Sequence, residues 1–348
     1  MADWYVSSAT YASVAAWQAT HAYSVGDLVK PVTTTYANSW VFRVTTAGTS
    51  GSSEPTWPQA NNATVSNGSA VFTNVSGQSA YGWSAAAGSL YAVSSSSVTG
   101  RPLAGDRCFI SSDHAETVSG GTPTFRSNDG SNAYGLTQYL SVNRAGSVPP
   151  VASDLQNGAA IANSTGSSLL LEAFCDIYWQ GLSFSQGTNS DILFNSSAAK
   201  SHYFKNCALL FSGSAGSVSR IHSNNPAKAT FDNTTVQFNN AGQGLFGSGA
   251  YSLELIWLNT PNAIAGATIP TILMTTTVGQ QNPQITCRGV DLSAITGTIV
   301  GTTGGPIKAL LESCKIASGV TRLAAHGGGT NSFNDELELV NCWDGTNV

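Results

Sequence analysis

The chain has 348 residues with Lys+Arg 14, Asp+Glu 19 and a formal charge of -5, so it carries no basic footprint for nucleic acid or an anionic membrane surface. Hydrophobic residues make up 41%, which excludes the composition of a disordered chain, and charged residues only 9%. Glu and Lys are scarce (seven and six), whereas Val, Ile, Thr and aromatics recur in short runs broken by Gly, Asn and Ser, an all-β composition. No apolar run approaches the ~18 residues of a membrane span. Met1-Ala2-Asp3-Trp4 lacks the basic-then-apolar layout of a signal peptide, so a soluble product made in a cytoplasm is expected. Cys108, Cys175, Cys207, Cys287, Cys314 and Cys342 form no CxxC pair and no Cys/His spacing typical of zinc. No phosphate or dinucleotide fingerprint occurs, and neither a metal nor a cofactor is expected.

Residues 1–75 read as a small aromatic-rich β module, with nine aromatics between Trp4 and Trp57 inclusive. Trp17 to Pro31 reads as a turn at Gly26-Asp27 feeding a strand, Val41 to Val44 as a second strand, and Ala47 to Pro58 as a Pro-bounded loop. The layout W…Y-x-x-G-D-x-V-x-P…F-R…G-T-S-G-x-x-E-P-x-W-P over Trp17 to Thr73 resembles a β module of tail and other virion proteins of bacteriophages. Its opening is also distantly similar to chitin-binding modules. That resemblance implies attachment or carbohydrate binding, with Trp17, Tyr23, Trp40 and Trp57 as the candidate sugar-stacking rings. A domain of this size also has little else from which to build a core, so the same rings compete for burial.

Residues 76–165 are read as a connecting region and N-terminal cap, with Gly105-Asp106-Arg107-Cys108-Phe109-Ile110 as an opening strand. From 166 to 348, short alternating strands recur with turn markers at Gln180, Asn206, Asn233, Thr260, Cys287, Ser313 and Asn341, at successive intervals of 26, 27, 27, 27, 26 and 28. This period predicts a right-handed parallel β-helix of about seven coils of ~27 residues, in which each coil covers its neighbour's apolar side chains. Cys207, Cys314 and Cys342 each follow a marker by one and should lie in one internal file, while Cys287 falls one place earlier. Asn206, Asn233 and Asn341 suit turns, where Asn bonds locally.

A glycan lyase or hydrolase on such a fold needs converging carboxylates about 5 to 10 Å apart. The coils offer Glu172, Asp176, Asp191, Asp232, Glu254, Asp291, Glu312, Asp335, Glu336 and Glu338. Asp232 and Glu312 share an offset from the markers, but three coils of roughly 4.8 Å place them about 14 Å apart. His114-Ala115-Glu116 is the remaining polar cluster and reads as a solvated loop. The expectation is therefore no catalytic residue and a non-enzymatic structural protein. The virion-type module implies a surface appendage of a bacteriophage (capsid decoration, spike or fibre), with a glycan-depolymerising tailspike and a binding-only adhesin as alternatives. A homotrimer is expected, with capsid or tail proteins as further partners and a host surface glycan as the ligand of an adhesin. The basis for the trimer is that the final strand Leu337 to Val340 shows no cap of its own and 9% charge leaves outward apolar positions to cover.

Overall fold

The computed structural model describes residues 2–33, 39–94, 102–119, 123–127, 135–164, 168–187, 192–196, 200–212, 221–223, 227–246, 253–275, 283–301, 306–324 and 335–345. Its backbone is a parallel β-solenoid. Ten strands form one long sheet, in the order Asp3–Val6, Arg107–Ser111, Leu136–Val142, Asp176–Gln180, Ser201–Lys205, Ala227–Asp232, Leu253–Leu258, Gln284–Arg288, Lys308–Glu312 and Glu336–Val340. Every neighbouring pair is parallel. A six-stranded sheet (Ala115–Val118 through Ile264–Ala265) and a four-stranded sheet (Thr124–Arg126 through Ile221–Ser223) form the other walls of the earlier coils.

The seven strands from Asp176–Gln180 to Glu336–Val340 are the coils expected from the repeat, bounding six full turns. Their spacing is less regular than the markers suggest. The register pairs Ile177 with His202, Ser201 with Lys228, Ala227 with Leu253, Glu254 with Gln284, Gln284 with Lys308 and Lys308 with Glu336, so that successive steps along the sequence are 25, 27, 26, 30, 24 and 28. The repeat is held by what each strand end must do. A left-handed residue closes every strand of the long sheet from Gly181 on: Gly181, Asn206, Asn233, Asn259, Gly289, Ser313 and Asn341 all have φ between 48° and 73°. Only Gly adopts this region freely, and Asn is the side chain that tolerates it best. Each of the first six donates its N–H to a carbonyl of the next coil at 2.8 to 3.1 Å, as in Asn206 N to Asp232 O. Asn206, Asn233, Ser313 and Asn341 are thus correctly placed markers, whereas Gln180, Thr260 and Cys287 lie one or two residues away from the true turn.

Alternation along each strand sends one file inward. Through register, Cys108, Tyr139, Trp179, Phe204, Phe231, Trp257, Cys287 and Leu311 stack along the core and all are buried. Tyr139 and Trp179 stack at 4.4 Å, and Phe204 meets Phe231 edge to face at 5.4 Å. Burying each such ring is worth about 2 to 3 kcal/mol. This stack holds the coils together. Cys207, Cys314 and Cys342 share the position after the turn, a file completed by Leu182, Thr234, Thr260 and Val290. Cys207 and Cys314 are buried and Cys342 half-buried. Cys287 sits instead in the strand file, between Trp257 and Leu311.

The solenoid begins far earlier than the repeat suggests. Asp3–Val6 pairs in parallel with Arg107–Ser111, so the first residues are a rung of the long sheet. The aromatic module is threaded between these two strands. Its five-stranded sheet runs Ala15–Ala16, Leu28–Lys30, Phe42–Thr46, Ala70–Asn74 and Thr64–Asn67, with Ala22–Tyr23 and Gly48–Thr49 as a separate pair. Residues 77 and 87 then return to the first rung: Tyr5 N donates to Gly77 O, and Ala87 N to Tyr5 O, each at 2.9 Å. That closes the edge which an open solenoid end would leave unpaired. Tyr5, Phe109 and Leu140, on the outer face of the same rungs, are covered in turn by Trp83 and Ala86.

Candidate functional site

The module's aromatic rings are mostly interior. Trp17 and Tyr23 are each 7% exposed and Trp40 is 1% exposed, all within the main core. A ring enclosed on both faces has none to offer a sugar, and these three supply the core that a small module requires. Trp57 is half-buried. It lies 4.3 Å from Phe42 and 5.5 Å from Phe72, and its indole N–H donates to Glu54 Oε1 at 2.8 Å. Glu54 also accepts from Val32 N at 2.6 Å. The Pro-bounded loop therefore docks on the module through this carboxylate and this indole.

Most of the coil carboxylates pair with cations directly opposite in a neighbouring coil. Lys205 meets Asp232 at 3.6 Å, Lys228 meets Glu254 at 2.9 Å, Arg288 meets Glu312 at 2.7 Å and Lys308 meets Glu336 at 3.4 Å, each across one step of the long sheet. The same holds for Asp3 with Arg107 at 2.8 Å, Arg126 with Glu172 at 2.9 Å and Asp291 with Lys315 at 3.3 Å. Opposite charges placed face to face favour one register and penalise a slip that would bring like charges together. Asp176 accepts from Ser201 N at 2.9 Å and Asp335 from Ile307 N at 2.9 Å, again between coils. Glu338 faces Leu310 across the rung, on the same outer side as Glu336. Asp191 lies outside the described residues. Asp232 and Glu312 do share one file, separated by Leu258 and Arg288, which keeps them three coils apart.

Two acids show what this pairing does to protonation. Burial would raise Asp291, but hydrogen bonds from Ser293 and Lys315 outweigh it and hold the carboxyl below its ordinary value. Tyr203 is pushed up to about 12, by burial first and then by donating its hydroxyl to Asp232 at 2.9 Å. Burial likewise raises the Cys207 thiol to about 12 and Cys314 to about 11, the opposite of what a reactive thiolate needs.

His114-Ala115-Glu116 is not a solvated loop. His114 is 1% exposed and Glu116 7%. Strand Ala115–Val118 alternates out and in, so Glu116 points inward in the file that continues with Ile161, Phe184 and Leu209. At the end of that file lies a short helix, Leu90–Ser94, and the carboxylate receives its first turn: Leu90 N at 2.7 Å, Tyr91 N at 3.1 Å and the Ser89 hydroxyl. His114 accepts at Nδ1 from Ser8 N, at the start of the helix Ser8–Ser13, at 3.0 Å. Its Nε2 therefore carries the proton and donates to Glu116 at 3.2 Å. One buried pair thus fastens both short helices to the first coil. The alternation of the strand was the signal in the sequence that could have placed Glu116 inside.

The open clefts among the described residues are shallow. One of about 390 Å³ lies where the module meets the first rung, lined by Ala2–Trp4, Asn61, Asn62 and 78–80. Another of about 480 Å³ lies between Asp113, Arg144 and Gln156. No family model, curated protein or solved structure matches the chain.

Proposed function

We propose that this chain is a non-enzymatic structural protein, a solenoid shaft carried as a surface appendage (capsid decoration, spike or fibre) of a bacteriophage virion. The observation that carries the non-enzymatic reading is the cross-coil pairing of the ionisable side chains. Most of the charges that could serve as acid and base are engaged by an opposite charge in the neighbouring coil, where they set register. The virion assignment rests on the resemblance of the segment Trp17 to Thr73. In the same reading the shaft is a homotrimer, contacting capsid or tail proteins and made in the host cytoplasm. The outward file Thr230, Ile256, Thr286 and Leu310, half-buried on a chain with 9% charge, is the face that side-by-side copies would cover.

The test has two arms. Purified chain is incubated with capsular polysaccharide, lipopolysaccharide and chitin oligomers, and their sizes are followed by chromatography; no shortening is expected. Release of defined oligosaccharides, lost in Glu336→Gln or Glu338→Gln, would replace this reading with a depolymerase. Native mass measurement at micromolar concentration should give a trimer, and a stable monomer would remove the oligomeric half of the proposal.

A further inference from the structure

The last rung of the long sheet, Glu336–Val340, leaves its far edge open. Glu336 N donates to Ile307 O at 2.9 Å and Val340 O accepts from Ser313 N at 2.8 Å, so these alternate residues turn their backbone groups toward the preceding coil. Leu337 and Leu339 therefore turn theirs the other way, and among the described residues no strand lies there to meet them. The side chains show the same opening. In the two rungs before, the inward residues Ile285, Cys287, Ala309 and Leu311 are buried, whereas Leu337 and Leu339 in the same files are half-buried. Cys342 is half-buried where Cys314 is enclosed, and Trp343 beside it is 39% exposed. The apolar core thus runs out to a surface at this end.

What this edge accepts follows from its charge. Glu336 meets Lys308 at 3.4 Å with both side chains largely in solvent, and Glu338 faces Leu310, with no cation opposite it among the described residues. Both carboxylates stand on one outer side, about 7 Å apart along the strand. Earlier steps of the same sheet set a cation against an acid, as in Lys205 with Asp232, Lys228 with Glu254 and Arg288 with Glu312. The same rule asks the next rung for cations opposite Glu336 and Glu338 and for apolar residues opposite Leu337 and Leu339. A second copy does not supply them. At the other end of the stack the edge of Asp3–Val6 is already occupied, with Tyr5 N donating to Gly77 O and Ser7 N to Ala87 O, each at 2.9 Å. Two copies joined tail to tail in full antiparallel register would set Glu338 against Glu338. Nucleic acid is repelled by the same carboxylates and has no peptide ladder to offer.

We propose that strand Glu336–Val340 is a docking edge for an extended segment of another protein in which lysine or arginine alternates with apolar residues. The segment adds to the long sheet as its next rung, covers Leu337 and Leu339, and pairs with Glu336 and Glu338. This rests on the stack of coils and not on the virion assignment. The probe is a capped, fluorescent nine-residue peptide alternating lysine with valine, titrated against the full chain by anisotropy. It should bind saturably, with affinity falling as salt is raised. The same peptide with glutamate in place of lysine should bind about tenfold more weakly, the weight of two cross-strand charge pairs turned from attractive to repulsive. A lysine peptide N-methylated at every amide keeps the charge but has no N–H to donate, and it should not bind. Amide exchange at Leu337 and Leu339 should slow when the lysine peptide binds, with Glu336, already bonded, unchanged. Glu338→Lys, at an exposed position, should level the two charged peptides, and adding Glu336→Lys should favour the glutamate one. No saturable binding of the lysine peptide at millimolar concentration, equal binding of the glutamate or N-methylated peptide to the wild type, or a preference unmoved in the variants would each overturn the proposal. So would slow, concentration-dependent exchange at Leu337 and Leu339 in the chain alone, which would mean that a second copy covers the edge.

Discussion

Replacing Glu116 by Gln should loosen the N-terminal end of the solenoid while leaving its C-terminal coils as they are. The carboxylate accepts four hydrogen bonds, from the Ser89 hydroxyl, Leu90 N at 2.7 Å, Tyr91 N at 3.1 Å and His114 Nε2 at 3.2 Å. An amide of the same shape turns one accepting oxygen into an NH₂ group that points at donors. Two of the four bonds are then lost, each of the charge-assisted kind worth about 1.5 to 3 kcal/mol. The loss should be about 3 to 6 kcal/mol, the sum over those two bonds. Because each coil contacts only its neighbours, the damage should stay local. Amide hydrogen exchange resolved by peptide should accelerate in the helix Leu90–Ser94 and in strands Asp3–Val6 and Arg107–Ser111, with strands Lys308–Glu312 and Glu336–Val340 unchanged. A variant that keeps wild-type exchange in that helix and loses less than about 0.5 kcal/mol would show that the buried carboxylate does not hold the cap.

The register role of the ion pairs predicts that Arg288→Glu and Glu312→Arg each destabilise by about 0.2 to 1 kcal/mol, since both side chains are partly solvated (58% and 41% exposed). The double exchange should recover most of that loss in a denaturation cycle; simple additivity would remove the pair from the account. At the left-handed turn, Asn233 has φ 49° and donates Nδ2 to Asn206 Oδ1 at 2.7 Å. Asn233→Val should cost about 1 to 2 kcal/mol and Asn233→Gly much less, and equal midpoints for the two would contradict the turn assignment. Tyr203, raised to about 12, is kept neutral by the fold, so its contribution is complete below about 10 and is lost as pH climbs from about 10 to about 12. Ultraviolet titration should show this late tyrosine moving to lower pH in Asp232→Asn, and an unmoved curve would separate the two groups.

The coils are visible in the sequence because each one meets the same local requirement, an alternating strand followed by a residue that tolerates positive φ. Asn206, Asn233 and Asn341 mark that turn by name, whereas Gly181 and Gly289 fill the same position without a polar side chain, which is why a marker based on polarity slips at Gln180 and Cys287. The separation of Asp232 and Glu312 was legible for the same reason, since register follows from the turns. The cation opposite several of the acids was equally readable, as Lys205 and Asp232 or Lys308 and Glu336 stand one repeat apart. Placing Asp3–Val6 in the long sheet was beyond local pattern. Its partner Arg107–Ser111 begins 104 residues later, across an entire inserted module. The fate of the module's rings was also undecided by sequence, because Trp17 and Trp40 would look alike whether they filled a core or faced a ligand.

The most direct test of the continuous stack is a distance along it. Ser201 and Glu336 lie in one outward file, joined through Lys228, Glu254, Gln284 and Lys308 by five successive strand pairings. At roughly 4.8 Å per coil, the two positions should be about 24 Å apart. Spin labels introduced there through a keto amino acid, which spares the native thiols, should give one narrow distribution near that value by electron double resonance. A broad distribution, or a maximum at nearly twice that separation, would mean that the coils do not form one parallel stack in this register.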